Sequence, residues 1–184
     1  MQSHAFRIAV LLLVAMALAC APTRAAQSGY KPCSMVSAAE AEALSGQKVT
    51  KTAERDIPLK KDANHDHDGV MSICTQSFSG LQGLSLTVST IQTTPEGKAK
   101  GAAAAKNAEE MLKKQGAKVE GKKYGAITCS TMILQGAMAA LSATSCAAEK
   151  GPLFFSLSVT AGAKGLVPMD QVHALAEKIL SRLP

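Results

Sequence analysis

The sequence predicts an α+β fold: a largely antiparallel sheet with a short N-terminal helix, a long central helix and a C-terminal amphipathic helix, stapled by disulfides. Three observations carry that expectation. Strand-like runs come in sequential groups instead of alternating with helices, the pattern of an antiparallel sheet with helices on one face. The closing segment places Val172, Leu175, Ala176, Ile179, Leu180 and Leu183 at i, i+3, i+4, i+7, i+8 and i+11, one continuous apolar stripe. Cys33, Cys74, Cys129 and Cys146 lie downstream of a hydrophobic leader, and a chain sent to an oxidising compartment pairs its cysteines.

Met1 to Arg7 is a short polar start with one cation, Ile8 to Ala19 is an apolar run, and small residues follow. That order reads as a secretory signal peptide, its apolar run too short for a bilayer-spanning anchor. Two processing routes stay open. Thr23 and Ala25 suit a cut after Ala25, which makes residues 1–25 the leader and releases a periplasmic or secreted protein. In the other route Ala17-Leu18-Ala19-Cys20 acts as a lipobox, and acylation of Cys20 holds the protein at a membrane; Ala17 and Leu18 depart from the usual residues there. Either route leaves the same four cysteines. Residues 26–32 are a flexible lead into a single domain over residues 33–184.

The elements follow in order. Ser37 stands three residues before Glu40, the spacing of a capping box, so a short helix runs from Ala38 to Leu44 and stops at Gly46. Gln47 to Thr52 reads as an edge strand and residues 54–69 as a charged, irregular loop. Val70 to Phe78 and Leu84 to Ile91 are strands; in the second, Leu84, Leu86 and Val88 alternate with Ser85, Thr87 and Ser89, and Gly80 and Gly83 mark a hairpin between the two. Thr94-Pro95-Glu96 opens a long helix with a capping hydroxyl, a proline at the first position and an acid near the positive end of the dipole. It runs to about Gln115, with Ala104, Ala108, Met111 and Leu112 on one face and Gly116 as the stop. Lys118 to Glu120, Ala126 to Leu134, Met138 to Ala147 and Leu153 to Thr160 are the remaining strands before the closing helix.

Composition narrows the function classes. Removing the leader takes away Arg7 and Arg24 and no acid, so the formal net charge falls from +6 to +4. That mild excess suits an anionic envelope partner and falls short of a nucleic-acid footprint. Tyr30, Phe78, Tyr124, Phe154 and Phe155 are the aromatics after the leader, so the core must be aliphatic and flat stacking platforms for sugars or single strands are scarce.

Cys33-Ser34-Met35-Val36-Ser37, followed by Glu40, Glu42, Leu44 and Gly46, resembles the opening of a family of small bacterial secreted lipoproteins of unknown function. That family begins Cys-Ser-Leu-Leu-Thr, continues in a short helix with a Glu, and carries a second cysteine in a later strand, as Cys74 does here. The resemblance covers residues 31–183, with Met35 and Ser37 departing from Leu and Thr. What it implies is architectural, a strand, a helix, a sheet and a closing amphipathic helix, and it assigns no catalytic residue.

Four cysteines allow three pairings. Cys33–Cys74 and Cys129–Cys146 are preferred, because the second pair can lie across adjacent antiparallel strands; the chain-entropy account gives roughly 4 and 3 kcal/mol for loops of these lengths. No Cys-x-x-Cys spacing supports a redox or thiolate-metal site.

The stretch Asp62 to Gly69 is the one cluster with metal-ligand chemistry. As a calcium loop, Asn64, Asp66 and Asp68 occupy positions 1, 3 and 5, but Thr75 stands where position 12 requires a bidentate Glu. As an extended segment, His65 and His67 share a face and suit zinc or copper. One conformation cannot serve both schemes, and a solvated acidic turn is the plain alternative. Lys113, Lys114, Lys118, Lys122 and Lys123 form a basic stretch that complements a helix dipole and offers a docking surface for an anionic polymer or acidic protein. His65, His67 and His173 are the imidazoles after the leader, no nucleophile elbow or zinc-protease helix is present, and His173 falls just outside the apolar stripe, a solvated position. The expectation is therefore an exported, non-catalytic envelope protein that binds an unidentified partner and needs no cofactor. Weak divalent-metal binding by Asn64 to Gly69 and an unrecognised hydrolase are the alternatives, the latter requiring a cleft that gathers a histidine with a serine or carboxylate.

Overall fold

The computed structural model describes residues 30–62, 68–79, 82–90, 94–135, 140–162 and 166–183. Residues 1–29, which include Cys20 and the stretch read as a signal peptide, lie outside them. The described strands are β1 (Lys51–Leu59), β2 (Gly69–Ser77), β3 (Gly83–Thr90), β4 (Lys118–Tyr124), β5 (Ile127–Gln135), β6 (Ala140–Lys150) and β7 (Leu153–Gly162). They form one seven-stranded sheet in the order β1-β2-β3-β7-β6-β5-β4, every neighbouring pair antiparallel. The helices are α1 (Pro32–Met35, one turn), α2 (Ala38–Ser45), α3 (Pro95–Lys114) and α4 (Met169–Arg182).

Alternation decides which face is buried. Leu84, Leu86 and Val88 of β3 pair with Val159, Leu157 and Phe155 of β7, and all six are buried on one face. Against this face α4 lays Val172, Leu175, Ala176 and Ile179, all buried, the stripe that the sequence predicts. Met35 and Val36, at the end of α1 and just beyond it, close the other half of the same core. Two buried polar groups keep the layers in register: Thr144 donates to the Val167 carbonyl at 2.9 Å, and the Gln76 amide donates to the Val36 carbonyl at 2.9 Å.

Both cysteine pairs are disulfides. Cys33–Cys74 ties α1 to β2 with a Cα–Cα distance of 5.0 Å, and Cys129–Cys146 bridges directly opposed residues of β5 and β6 at 4.0 Å. Two such bonds mark a protein that matures outside the reducing cytosol. The capping box of α2 is present, with the Ser37 hydroxyl accepting from the Glu40 N–H and the Glu40 carboxylate accepting from the Ser37 N–H. Gly46 takes the left-handed conformation at φ 69°, ending the helix as expected. From α4, Arg182 reaches back to this corner and donates to the Met35 carbonyl at 2.6 Å and to both Glu40 oxygens at 2.6 and 3.0 Å.

Three expectations need correction. The edge strand lies at Lys51–Leu59, not Gln47 to Thr52, and takes in the first part of the stretch read as a loop. Its first half is exposed on both faces, and Glu54, Arg55, Asp56 and Pro58 guard an unpaired edge, so no alternation betrays it. At the opposite edge β4 continues past Glu120 to Tyr124 for the same reason: its Lys-rich segment faces water. The long helix forms where predicted, with the Thr94 hydroxyl accepting from the Gly97 N–H, but Ala104, Ala108 and Met111 are exposed and Leu112 is half-buried. It does not pack on the helical face of the sheet.

Candidate functional site

The sequence singles out a loop, and the structure draws attention elsewhere. Of the metal candidates, Asn64, His65, Asp66 and His67 lie outside the described residues. Asp68 is described; its carboxylate accepts from the Lys61 N–H at 2.8 Å and lies 3.4 Å from the Lys60 ammonium. Among the described residues no group of three or more His, Cys, Asp or Glu side chains gathers as a metal site would require. The basic stretch is divided. Lys113 pairs with Glu109 along α3, Lys122 turns toward Tyr124 and Asp170, and Lys114, Lys118 and Lys123 remain exposed.

His173 is where the structure departs most from a solvated reading. Its side chain is only 16% exposed, because the Tyr124 ring stacks on it with centroids 4.1 Å apart and planes 19° from parallel. Tyr124 reaches this position through the tight turn from β4 to β5. Tyr124 pairs with Ile127, and Gly125 at φ 57° opens the two-residue loop while Ala126 keeps a negative φ, the geometry of a II′ hairpin turn. The Tyr124 hydroxyl donates to Asp170 at the start of α4. Above the same ring sits the Lys122 ammonium, 4.4 Å from the centroid and 3.7 Å from the Asp170 carboxylate. The tyrosine hydrogen bond first, and the lysine charge second, hold the Asp170 carboxyl below its ordinary range. Tyr124, and after it Asp170, raise Lys122.

A cleft of about 630 Å³ opens beside the stack, lined by Tyr124, Ile127, Lys150, His173, Glu177 and Ser181 among others. One turn along α4, the Glu177 carboxylate lies 3.6 Å from His173 Nε2. Lys150, from the end of β6, donates to the carbonyls of Leu180 and Leu183 and so caps the C-terminus of α4. Its ammonium has three donors, and two are spent on those carbonyls. Ser181 donates its hydroxyl to the Lys178 carbonyl at 2.7 Å. It stands eight residues from His173, roughly 12 Å along the helix axis, so imidazole and hydroxyl form no nucleophile–base pair here. The cleft thus offers the Tyr124–His173 stack, a carboxylate 3.6 Å from the imidazole and an immobilised cation.

Reasoning from sequence names His173 and misses Tyr124, Lys150, Asp170 and Glu177 as its company. One signal was available: Asp170, His173 and Glu177 fall at i, i+3 and i+7, a polar stripe alongside the apolar one. Tyr124 and Lys150 come from strands far away in sequence, and only the folded sheet brings them in. Among the described residues no helix is long and apolar enough to cross a membrane. In comparisons with known proteins, the chain matches no family model and no curated protein.

Proposed function

We propose that the protein is exported to the bacterial periplasm or beyond and works there by binding, with the Tyr124–His173 cleft as the contact point for an acidic partner, an envelope polymer or a protein. The observation that carries this reading is Lys150. The C-terminal carbonyls of α4 fix its ammonium in the wall of a cleft that Tyr124 and His173 also line, with a donor to spare. Exposed Lys118 and Lys123 on β4 extend the positive character beyond the rim. Cys20 remains the alternative route to a membrane-held form, tested by the gel shift of a Cys20→Ala variant.

The test is photo-crosslinking from position 181 in intact envelopes, with and without Lys150→Ala. Adducts that form with Lys150 and vanish without it are expected. An adduct pattern indifferent to Lys150, or no adduct at all, would remove this cleft as the contact.

A second reading has one observation in its favour. The cleft sets the Glu177 carboxylate 3.6 Å from His173 Nε2, so an imidazole and a carboxylate, two group types that hydrolytic sites use, stand side by side. Activity in that case would disappear with His173→Gln, and a panel of ester and amide substrates would show it.

A further inference from the structure

The sheet face turned away from α1, α2 and α4 is surfaced with small side chains. Thr75, Ser85, Ser158, Ser145, Ser130 and Gly121 are directly paired from β2 across to β4 and form one row. At 4.8 Å per strand the row is about 24 Å long. Ser145 donates to Ser158 within it at 2.9 Å, and a depression of about 290 Å³ lined by Thr75, Ser85 and Thr160 marks one end. Gly121 is informative. Its φ is not in the left-handed region, and an added Cβ would meet only the Cys129 carbonyl at an ordinary 3.8 Å. Nothing inside the sheet demands glycine there, whereas a backbone approaching from outside would.

Connectivity supplies the visitor. Four antiparallel steps separate β3 from β4, so the two strands are parallel, and α3 is their crossover. Such crossovers are right-handed in about 98% of cases. The hand can be read from the disulfide between opposed residues. A Cα–Cα distance of 4.0 Å makes Cys129–Cys146 a non-hydrogen-bonded pair, which turns the amide groups of Leu86 toward β2. With L-residues, β4 then lies to the left of β3 when the α4 side is viewed with β3 pointing up. A right-handed connection must therefore pass over the other face, the one bearing the serine row. At 20 residues α3 is about 30 Å long, enough to span the row. Its stripe of Ala104, Ala108 and Met111 is exposed, and Leu112, beside β4, is the half-buried end from which it could swing.

We propose that α3 is a strap that closes onto this face, laying its alanine stripe along the serine row. Small side chains on both surfaces allow the close approach that Gly121 leaves room for. A partner using the hydroxyl face must first displace the strap, which makes α3 a gate on a surface separate from the Tyr124–His173 cleft.

The experiment is thiol labelling of Ser158→Cys in a chain that carries Cys20→Ser and keeps both disulfides intact, compared with the same variant carrying Ala104→Lys and Ala108→Lys. Both proteins should melt within a few degrees of each other, because α3 lies outside the core. Labelling of the first is expected to be about tenfold slower, at a rate independent of protein concentration, corresponding to a closed state favoured by about 1.4 kcal/mol. Equal labelling rates would overturn the strap. So would protection that grows with protein concentration, which would assign this face to a second copy.

Discussion

Two helices of this protein invert the usual relation between local signal and structural weight. α3 has 20 residues, a Thr94 cap, a proline at its first turn, an acid at the start and two lysines at the end. α4 has 14 residues and begins at Pro168 with no side-chain cap. Yet α4 buries Val172, Leu175, Ala176 and Ile179, while the stripe of α3 stands in water. Caps and propensity tell a segment to be helical. They do not tell it where to go, and an alanine stripe removes too little surface from water to dictate a place in the core.

Breaking the stronger side of that contrast should have the largest effect. Ile179→Ala removes a fully buried side chain between α4 and the sheet, and a loss of about 3–4 kcal/mol is expected, read as a fall in Tm on the order of 10 °C. A loss below 1 kcal/mol would mean that α4 is not the anchor described. Next in size is the staple under it. Replacing Cys129 and Cys146 together by alanine should cost about 3 kcal/mol, and denaturant titration would check whether the loss falls short of the chain-entropy value.

The clasp at the foot of α4 predicts a pH dependence. The Arg182 hydrogen bonds hold the Glu40 carboxyl down at about 2 against an ordinary 4.5. A lowered folded-state pKa stabilises above the unfolded value, so this contribution is complete above pH 4.5 and is lost as pH falls through about 2. Allowing for solvent screening of a partly exposed pair, it amounts to about 1–2 kcal/mol. Arg182→Gln should therefore melt below the unmodified protein at pH 7 and close most of the gap by pH 2; a gap constant with pH would sink the assignment. The weaker side of the comparison should barely respond. Met111 is 61% exposed, and Met111→Ala should change global stability by less than about 1 kcal/mol.

How much was legible follows the same division. The α2 capping box, the α3 cap and the β3 alternation are local and were readable residue by residue. The α4 stripe was readable because its branched and large residues recur at helical spacing. β1 was not, since an edge strand with charges on both faces loses the period of two that marks a half-buried strand. The company of His173 was hidden for another reason: its stacking partner lies 49 residues earlier, on a strand whose Lys-rich sequence reads as surface. Whether an amphipathic helix finds a face depends on the topology, which no single segment records.

The Arg182 clasp also bears on how the chain assembles as it is made. Met35 and Arg182 are 147 residues apart, and β3 can complete the middle of the sheet only when β7 arrives to pair with it. A chain emerging amino end first therefore presents α2 and the β1–β3 meander as an unfinished half-sheet. Its Leu84–Leu86–Val88 edge stays uncovered until the last strand and helix emerge. The interval between those events is when a chaperone would have something to hold.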